Sequence, residues 1–422
     1  MKILVVGSGG REHAIIKKLK ASPKAEKIYA APGNGGISAD AECVNIGATD
    51  IEGVKKFALE NGIDFVVVAP DDPLVLGMVD ALNEAGIACF GPNKAAAAIE
   101  GSKVFSKWLM KKYGIPTARY ESFDDVNAAI AYLKEQNSYP AVIKADGLAL
   151  GKGVIIPENE ADAISGLRSM MEDGQFGDSG RRVVIEEFLT GIELSVLAFT
   201  DGKIVVPMVS SMDHKRAYDN DEGLNTGGMG TIAPHPLFTP EMQQRCMDEI
   251  FMPTIEALKK ENREFRGCLY FGLMLCKEGP KVIEYNCRFG DPETQVVLPL
   301  LDGDLLEIMQ AVSEGRLSEV KVGIKPGSAA CVIIASGGYP TSYKKGYPIH
   351  GLCEKGGAAG VTVYHAGTKL EDGVFKNNGG RVLGVTATGD TLKAALDKAY
   401  AAVENIGFEG SFYRRDIGKK VL

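Results

Sequence analysis

Strand-length apolar runs alternate with helix-patterned segments through the first hundred residues, and that alternation leaves little choice of architecture. Residues 2–6, 27–31, 65–69 and 88–90 read as strands, and residues 11–20, 51–60 and 74–85 as helices. Strand–helix–strand order requires parallel pairing with right-handed crossovers, hence an open parallel α/β sheet. Ligands of such a sheet bind beyond the carboxyl ends of its strands. A chain of 422 residues is too long for one core. Three domains are expected: an N-terminal substrate-binding α/β domain (1–101), a central domain (102–326) carrying a small flap subdomain at about 116–190, and a C-terminal α+β domain (327–422).

Bulk properties exclude several classes. No run of about 18 apolar residues exists, so no membrane span is expected. A net charge of −8 argues against nucleic acid as a partner. The eight cysteines form no CxxC pair and sit mostly in apolar segments, which suits a reducing, cytoplasmic setting. Small molecules are the expected partners, with the chain a monomer or weak homo-oligomer.

Gly7-Ser8-Gly9-Gly10 joins the first strand to the first helix, where amides and the helix dipole can hold a phosphate. The third glycine of a dinucleotide fingerprint is missing, and Ala31-Pro32-Gly33 replaces the acid expected after the second strand. A nicotinamide-dependent oxidoreductase is therefore disfavoured. A second glycine turn at 33–36 lies at the same sheet edge, so Gly9, Gly10, Asn34 and Gly35 are candidates for a sugar-phosphate pocket. Further on, Lys144 ends an apolar strand and a glycine-rich loop runs to Gly153. No GxxxxGK[ST] precedes a helix here. The loop instead suits a flap over a triphosphate, with Gly151, Lys152 and Gly153 as its closing residues.

Two acidic strands complete the pattern. Residues 183–189 run from an apolar strand into Glu186 and Glu187, which alternate to opposite faces; one backbone edge is expected to stay free for an adenine. Residues 281–286 are more specific. Val282 and Ile283 should bury the strand, while Glu284 and Asn286, two apart, offer a carboxylate and an amide oxygen to one hard cation. Arg288 continues that face towards a transferring phosphoryl group. Tyr270, Phe271 and Trp108 are expected to pack. His214 is a functional candidate; His13 and His365 fit packing equally well.

Together these pieces resemble the ATP-grasp superfamily. The runs GSGGREH (7–13), KADGLALGKG (144–153), DHKR (213–216), NTGGMG (225–230), EYNCRFGDPET (284–294), HAGT (365–368) and GGRV (379–382) resemble its phosphoribosylamine–glycine ligase family over nearly the whole chain. The resemblance implies ATP with Mg2+ (or Mn2+), and ligation of glycine to 5-phosphoribosylamine through a glycyl phosphate. It implies nucleotide contacts from Lys103, Lys144, Gly151, Lys152, Gly153, Glu186, Glu187, Phe188, Leu189 and Glu193, and metal ligation by Glu284 and Asn286. Arg288, Lys152 and Asp213 would be catalytic. Asp213, Lys215, Arg216, Asn225, Gly227, Gly228, Arg288 and Asp291, with the four sugar-pocket residues, would hold the substrates. Asp71 departs from the family's usual glutamate. Another ATP-grasp ligase or carboxylase, or a nucleotide-binding regulator without catalysis, remain the alternatives.

Overall fold

The structure, a computed structural model, describes residues 1–148, 153–173 and 177–422. The N-terminal sheet is fully parallel, in the order Glu42–Cys43, Lys27–Pro32, Lys2–Gly7, Phe65–Val68, Cys89–Phe90. Its first and second strands both end at glycine turns on one edge, as Gly33 N donates to the Gly7 carbonyl at 3.1 Å. The helix expected over 74–85 is two helices, Asp71–Leu76 and Met78–Glu84. Gly77 separates them at φ +99°, a conformation that favours glycine and ends the first helix in a left-handed cap.

Two antiparallel sheets follow, one small and one large. The small sheet orders Tyr120–Phe123, Val183–Glu187, Ala141–Ala145 and Val154–Ile155. Helices Val126–Gln136 and Glu160–Met171 cover it, with Leu133, Ile143 and Leu167 in a separate core. The larger sheet orders Val205–Pro207, Ile192–Thr200, Gly267–Cys276 and Gly279–Asn286. Its first pair turns through Asp201-Gly202, with Gly202 at φ +84°. Helices Pro240–Cys246 and Met252–Lys260 are joined by a π-helical turn, Met247–Phe251. Phe251 and Phe271 are fully buried with ring centroids 4.4 Å apart. Phe271→Ala is expected to cost about 3–5 kcal/mol, read as a lower midpoint of denaturant unfolding.

The last sheet is antiparallel, in the order Met212–Asp213, Gly230–Ala233, Ser328–Ala335, Arg381–Gly389, Thr362–His365. Two of its strands come from well before residue 327, so the central and C-terminal segments share hydrogen bonds. That sharing lets Arg381, from the C-terminal segment, reach the carbonyls of both Gly227 and Asp291.

Candidate active site

The strand Gly279–Asn286 carries the expected cation face, but it gets there through a bulge. Gly272 pairs with Glu284 while Leu273 pairs with Val282, leaving Ile283 as an extra residue. Val282 is buried as expected, whereas Ile283 is only half-buried. After the bulge, Tyr285, Cys287 and Phe289 go into the core, and Glu284, Asn286 and Arg288 share the more open face.

Arg288 is held by neighbours on both sides. Its Nη2 lies 2.8 Å from the Glu100 carboxylate and donates to Asn286 Oδ1 at 3.1 Å. Asp71, the shorter acid at its position, stops 3.8 Å away. Among the described residues the buried Arg288 Nε has no hydrogen-bond partner, which leaves a donor to spare. Glu100 also accepts from the Cys287 amide at 2.7 Å. Burial pushes the Glu100 carboxyl up; Arg288 opposes that and keeps its partner in place. Sequence reading missed Glu100, although it stands directly before Gly101-Ser102-Lys103.

Glu284 is enclosed by cations. Burial would raise its carboxyl, yet Lys215, Lys144, Lys103 and Arg288 outweigh that and hold it below the usual range. Lys215 Nζ sits 3.9 Å from Glu284 and 3.5 Å from Glu193. No group of three or more His, Cys, Asp or Glu side chains is arranged for a metal among the described residues. Two hard oxygens on one strand face fit a Mg2+ ion whose remaining ligands are phosphate and water, the usual way a nucleotide's magnesium is held.

The facing wall comes from the small sheet and the helix Lys103–Tyr113. Lys103 Nζ donates to the Gly147 carbonyl at 2.7 Å, and Lys144 Nζ to the Ile283 carbonyl at 3.0 Å. Gly153 is buried, its carbonyl accepting from Ala145 N at 2.8 Å. Gly151 and Lys152 lie outside the described residues. The free edge expected at Glu186 is absent, because Val183–Glu187 is paired on both sides. Unpaired backbone begins only at Phe188 and Leu189, the former exposed and the latter half-buried. Glu186 itself points inward, 2.7 Å from Lys107 Nζ and 2.9 Å from Lys144 Nζ. Glu187 instead accepts from Arg119 Nε at 2.7 Å. Trp108 packs on Phe105, with ring centroids 5.8 Å apart, but at 42% exposed it does so at the surface and not in the core.

A cavity of about 720 Å3 opens where the N-terminal and C-terminal sheets meet. Ser8, Gly9, Asn34, Gly35, Asp291, Lys369 and Arg381 line it. Gly10 lies behind this wall, against Gln295 and Asp291. Asn34 fixes its own loop: its side-chain oxygen accepts from Gly36 N and Ile37 N, and its amide donates to the Ser8 and His365 carbonyls. Arg381, not singled out in the sequence, donates to the carbonyls of Gly227 (2.6 Å) and Asp291 (2.7 Å) and so ties the glycine loop to the Arg288 segment. Arg216 and Asn225 form an exposed ribbon, Arg216 donating to the Gly223 carbonyl, and neither lines the cavity. Asp213 Oδ1 accepts from His214 N at 2.7 Å; burial and the Glu293 charge push this carboxyl up to about 8. Gly228, at φ +112°, packs so closely that an added Cβ would sit 2.5 Å from Asp213 Oδ1. Gly228→Ala should lower kcat/KM by about tenfold or more, measured by steady-state kinetics on folded protein.

His214 is a clamp rather than a reactive group. Its Nε2 accepts from Gly418 N at 3.0 Å and its Nδ1 meets the Gly230 carbonyl. His365 is equally enclosed, between Thr368 Oγ1 and the Gly356 carbonyl. Burial lowers both from 6.5 to about 4. Between those values the unfolded chain binds more protons than the folded one, so stability falls as pH drops from about 6.5 to about 4. Thermal midpoints across that window should show the slope, and His365→Gln should flatten it.

An antiparallel small sheet facing a strand that carries Glu284 and Asn286 defines an ATP-grasp fold, and with it an ATP-dependent ligase. Family profiles agree along the chain. The phosphoribosylglycinamide synthetase N domain matches residues 1–100, its ATP-grasp (A) domain 101–294 and its C domain 329–420. The chain belongs to the phosphoribosylglycinamide synthetase family. Phosphoribosylamine–glycine ligase of Caldanaerobacter subterraneus subsp. tengcongensis is 52% identical over 417 residues, covering 99% of each chain. That of Clostridium acetobutylicum is 47% identical, covering 99% of this chain and all of its own. The crystal structure of the Thermotoga maritima ligase superposes with a TM-score of 0.86 at 35% identity, over 99% of this chain and 100% of that one. The biotin carboxylase domain of a Hydrogenobacter thermophilus 2-oxoglutarate carboxylase, in complex with MgADP, shares the fold at TM-score 0.75 and 18% identity, covering 98% and 91%.

Proposed function

We propose that the chain joins glycine to the amine of 5-phosphoribosylamine, giving glycinamide ribonucleotide, ADP and phosphate for purine synthesis. The observation that carries this reading is the Glu284–Asn286–Arg288 face, set opposite Lys103 and Lys144 and leading through Asp291 into the cavity beside Gly9 and Asn34. Glycine's carboxylate attacks the γ-phosphorus of ATP, ADP leaves, and a glycyl phosphate forms. The sugar's amine then attacks the acyl carbon and phosphate departs. Such transfers need positioned charge more than covalent help from the protein.

In this scheme Lys103, Lys144, Gly153 and the flap residues Gly151 and Lys152 hold the nucleotide's phosphates. The backbone at Glu187, Phe188 and Leu189, with Glu186 behind it, takes the adenine, and Glu193 the ribose. Glu284 and Asn286 would hold magnesium, or manganese in its place, which neutralises phosphate charge when bound. Arg288 offers its spare donor to the transferring group. Asp213 and Lys215 serve the acceptor side with Gly227 and Gly228, and Gly9, Asn34, Gly35, Lys369 and Arg381 surround the sugar phosphate. The enzyme would act in the cytoplasm as a monomer or weak homo-oligomer; no described helix is long and apolar enough to cross a membrane. ADP release should need both glycine and phosphoribosylamine. Release at an unchanged rate with either omitted would overturn the assignment.

A further inference from the structure

We propose that Lys107 is a positioning residue for nucleotide binding: it occupies one oxygen of the Glu186 carboxylate so that Lys144 keeps a net positive charge for the phosphates. The inference rests on the reading of this cleft as a nucleotide site.

Lys107 lies one helical turn beyond Lys103 and is 3% exposed, an unusual place for an ammonium. Its Nζ has two acceptors at 2.7 Å, Glu186 Oε2 and Thr117 Oγ1. The Thr117 hydroxyl donates in turn to the Val282 carbonyl. Glu186 Oε1 faces Lys144, whose Nζ also donates to the Ile283 carbonyl. One buried carboxylate is therefore shared by two buried ammoniums, from a helix and from the small sheet, and both are anchored on the strand leading to Glu284. Burial favours neutral groups, yet Lys144 and Lys107 together hold Glu186 ionised.

Charge arithmetic gives Lys107 its role. Three groups carry a net +1. Without Lys107, Glu186 and Lys144 form a neutral pair, and Lys144, bound to the Ile283 carbonyl, no longer presents an uncompensated charge. A cross-link that merely held the helix to the sheet would already be lost with Lys107, so removing Glu186 as well would restore nothing.

Equilibrium binding of a non-hydrolysable ATP analogue with Mg2+ distinguishes the two. Lys107→Met should raise Kd about 10- to 100-fold, and Lys107→Met/Glu186→Gln should recover most of that loss, since Lys144 regains its free charge. A Lys107→Met Kd within about threefold of wild type, or a double variant no better than the single one, overturns the proposal. If Lys107→Met alone does not fold, the comparison becomes Glu186→Gln against the double variant. Their Kd values should then agree within about threefold; a larger gap refutes the role. Binding is read apart from ligation. A wild-type protein that binds the analogue but shows no glycine-dependent ADP release overturns the proposed reaction and leaves this test valid, whereas one that binds no nucleotide overturns both.

Discussion

Glu284→Ala is expected to lower glycine-dependent ADP release by about 10^3-fold or more while the protein stays folded. Glu284 is the one carboxylate on the strand face that continues through Asn286 and Arg288. Four cations lower its pKa, so it is ionised at neutral pH and ready to take a cation. If Glu284 and Asn286 are the described residues that hold the ion, as proposed, removing one of them leaves a phosphate-bound ion little reason to stay, and the lost charge neutralisation falls on the transfer step. The folding cost should be small, because the side chain is 38% exposed and its nearest ion pair, Lys215, stands 3.9 Å away. Circular dichroism melting alongside a magnesium titration of turnover checks both halves. Turnover within about tenfold of wild type at saturating Mg2+ would remove Glu284 from the metal site.

The parts of this site that sequence reading reached are those written locally. Alternation over residues 284–288 placed a carboxylate, an amide and a guanidinium on one face, and a strand face is set by period alone. The glycine turns after the first two strands were legible because parallel pairing brings successive carboxyl ends to one edge. Reading failed where the answer depended on a partner strand. Whether Glu186 had a free edge was decided by Tyr120 and Val142, which pair with it from either side. The bulge at Ile283 likewise depends on register against Gly272.

Glu100 and Lys107 were missed, and Arg381, though within the GGRV run, was given no role of its own, for a related reason. Each acts on a segment far away in the chain: Glu100 on Cys287 and Arg288, Lys107 on Glu186, Arg381 on Gly227 and Asp291. On a lone sequence, a lysine within helix Lys103–Tyr113 is indistinguishable from a solvated one. Only tertiary packing shows that Lys107 is buried while Trp108, the next residue, is not. Arg216 and Asn225 show the same dependence from the other side: their own hairpin leaves both exposed and away from the cavity beside Gly9, which the run itself does not reveal.

Arg288→Lys should lower kcat by about 10^2- to 10^3-fold and leave the KM for ATP within about threefold. Charge is kept in this substitution, so any loss comes from geometry. The guanidinium is pinned through one nitrogen to Glu100 at 2.8 Å and Asn286 at 3.1 Å, through the other to the Phe289 carbonyl at 3.3 Å, and keeps Nε free. An ammonium can satisfy some of those acceptors but cannot also offer a fixed third donor. If that donor meets charge that develops only during phosphoryl or acyl transfer, its loss appears in kcat and not in ground-state affinity. Glu100→Gln, which weakens the anchor without touching substrate, should shift kcat the same way by a smaller factor, about tenfold, and the two losses should not add because they act on one group. A rise in KM for ATP with kcat unchanged would mean that Arg288 binds the nucleotide's ground state, and its part in the transfer step would have to be given up.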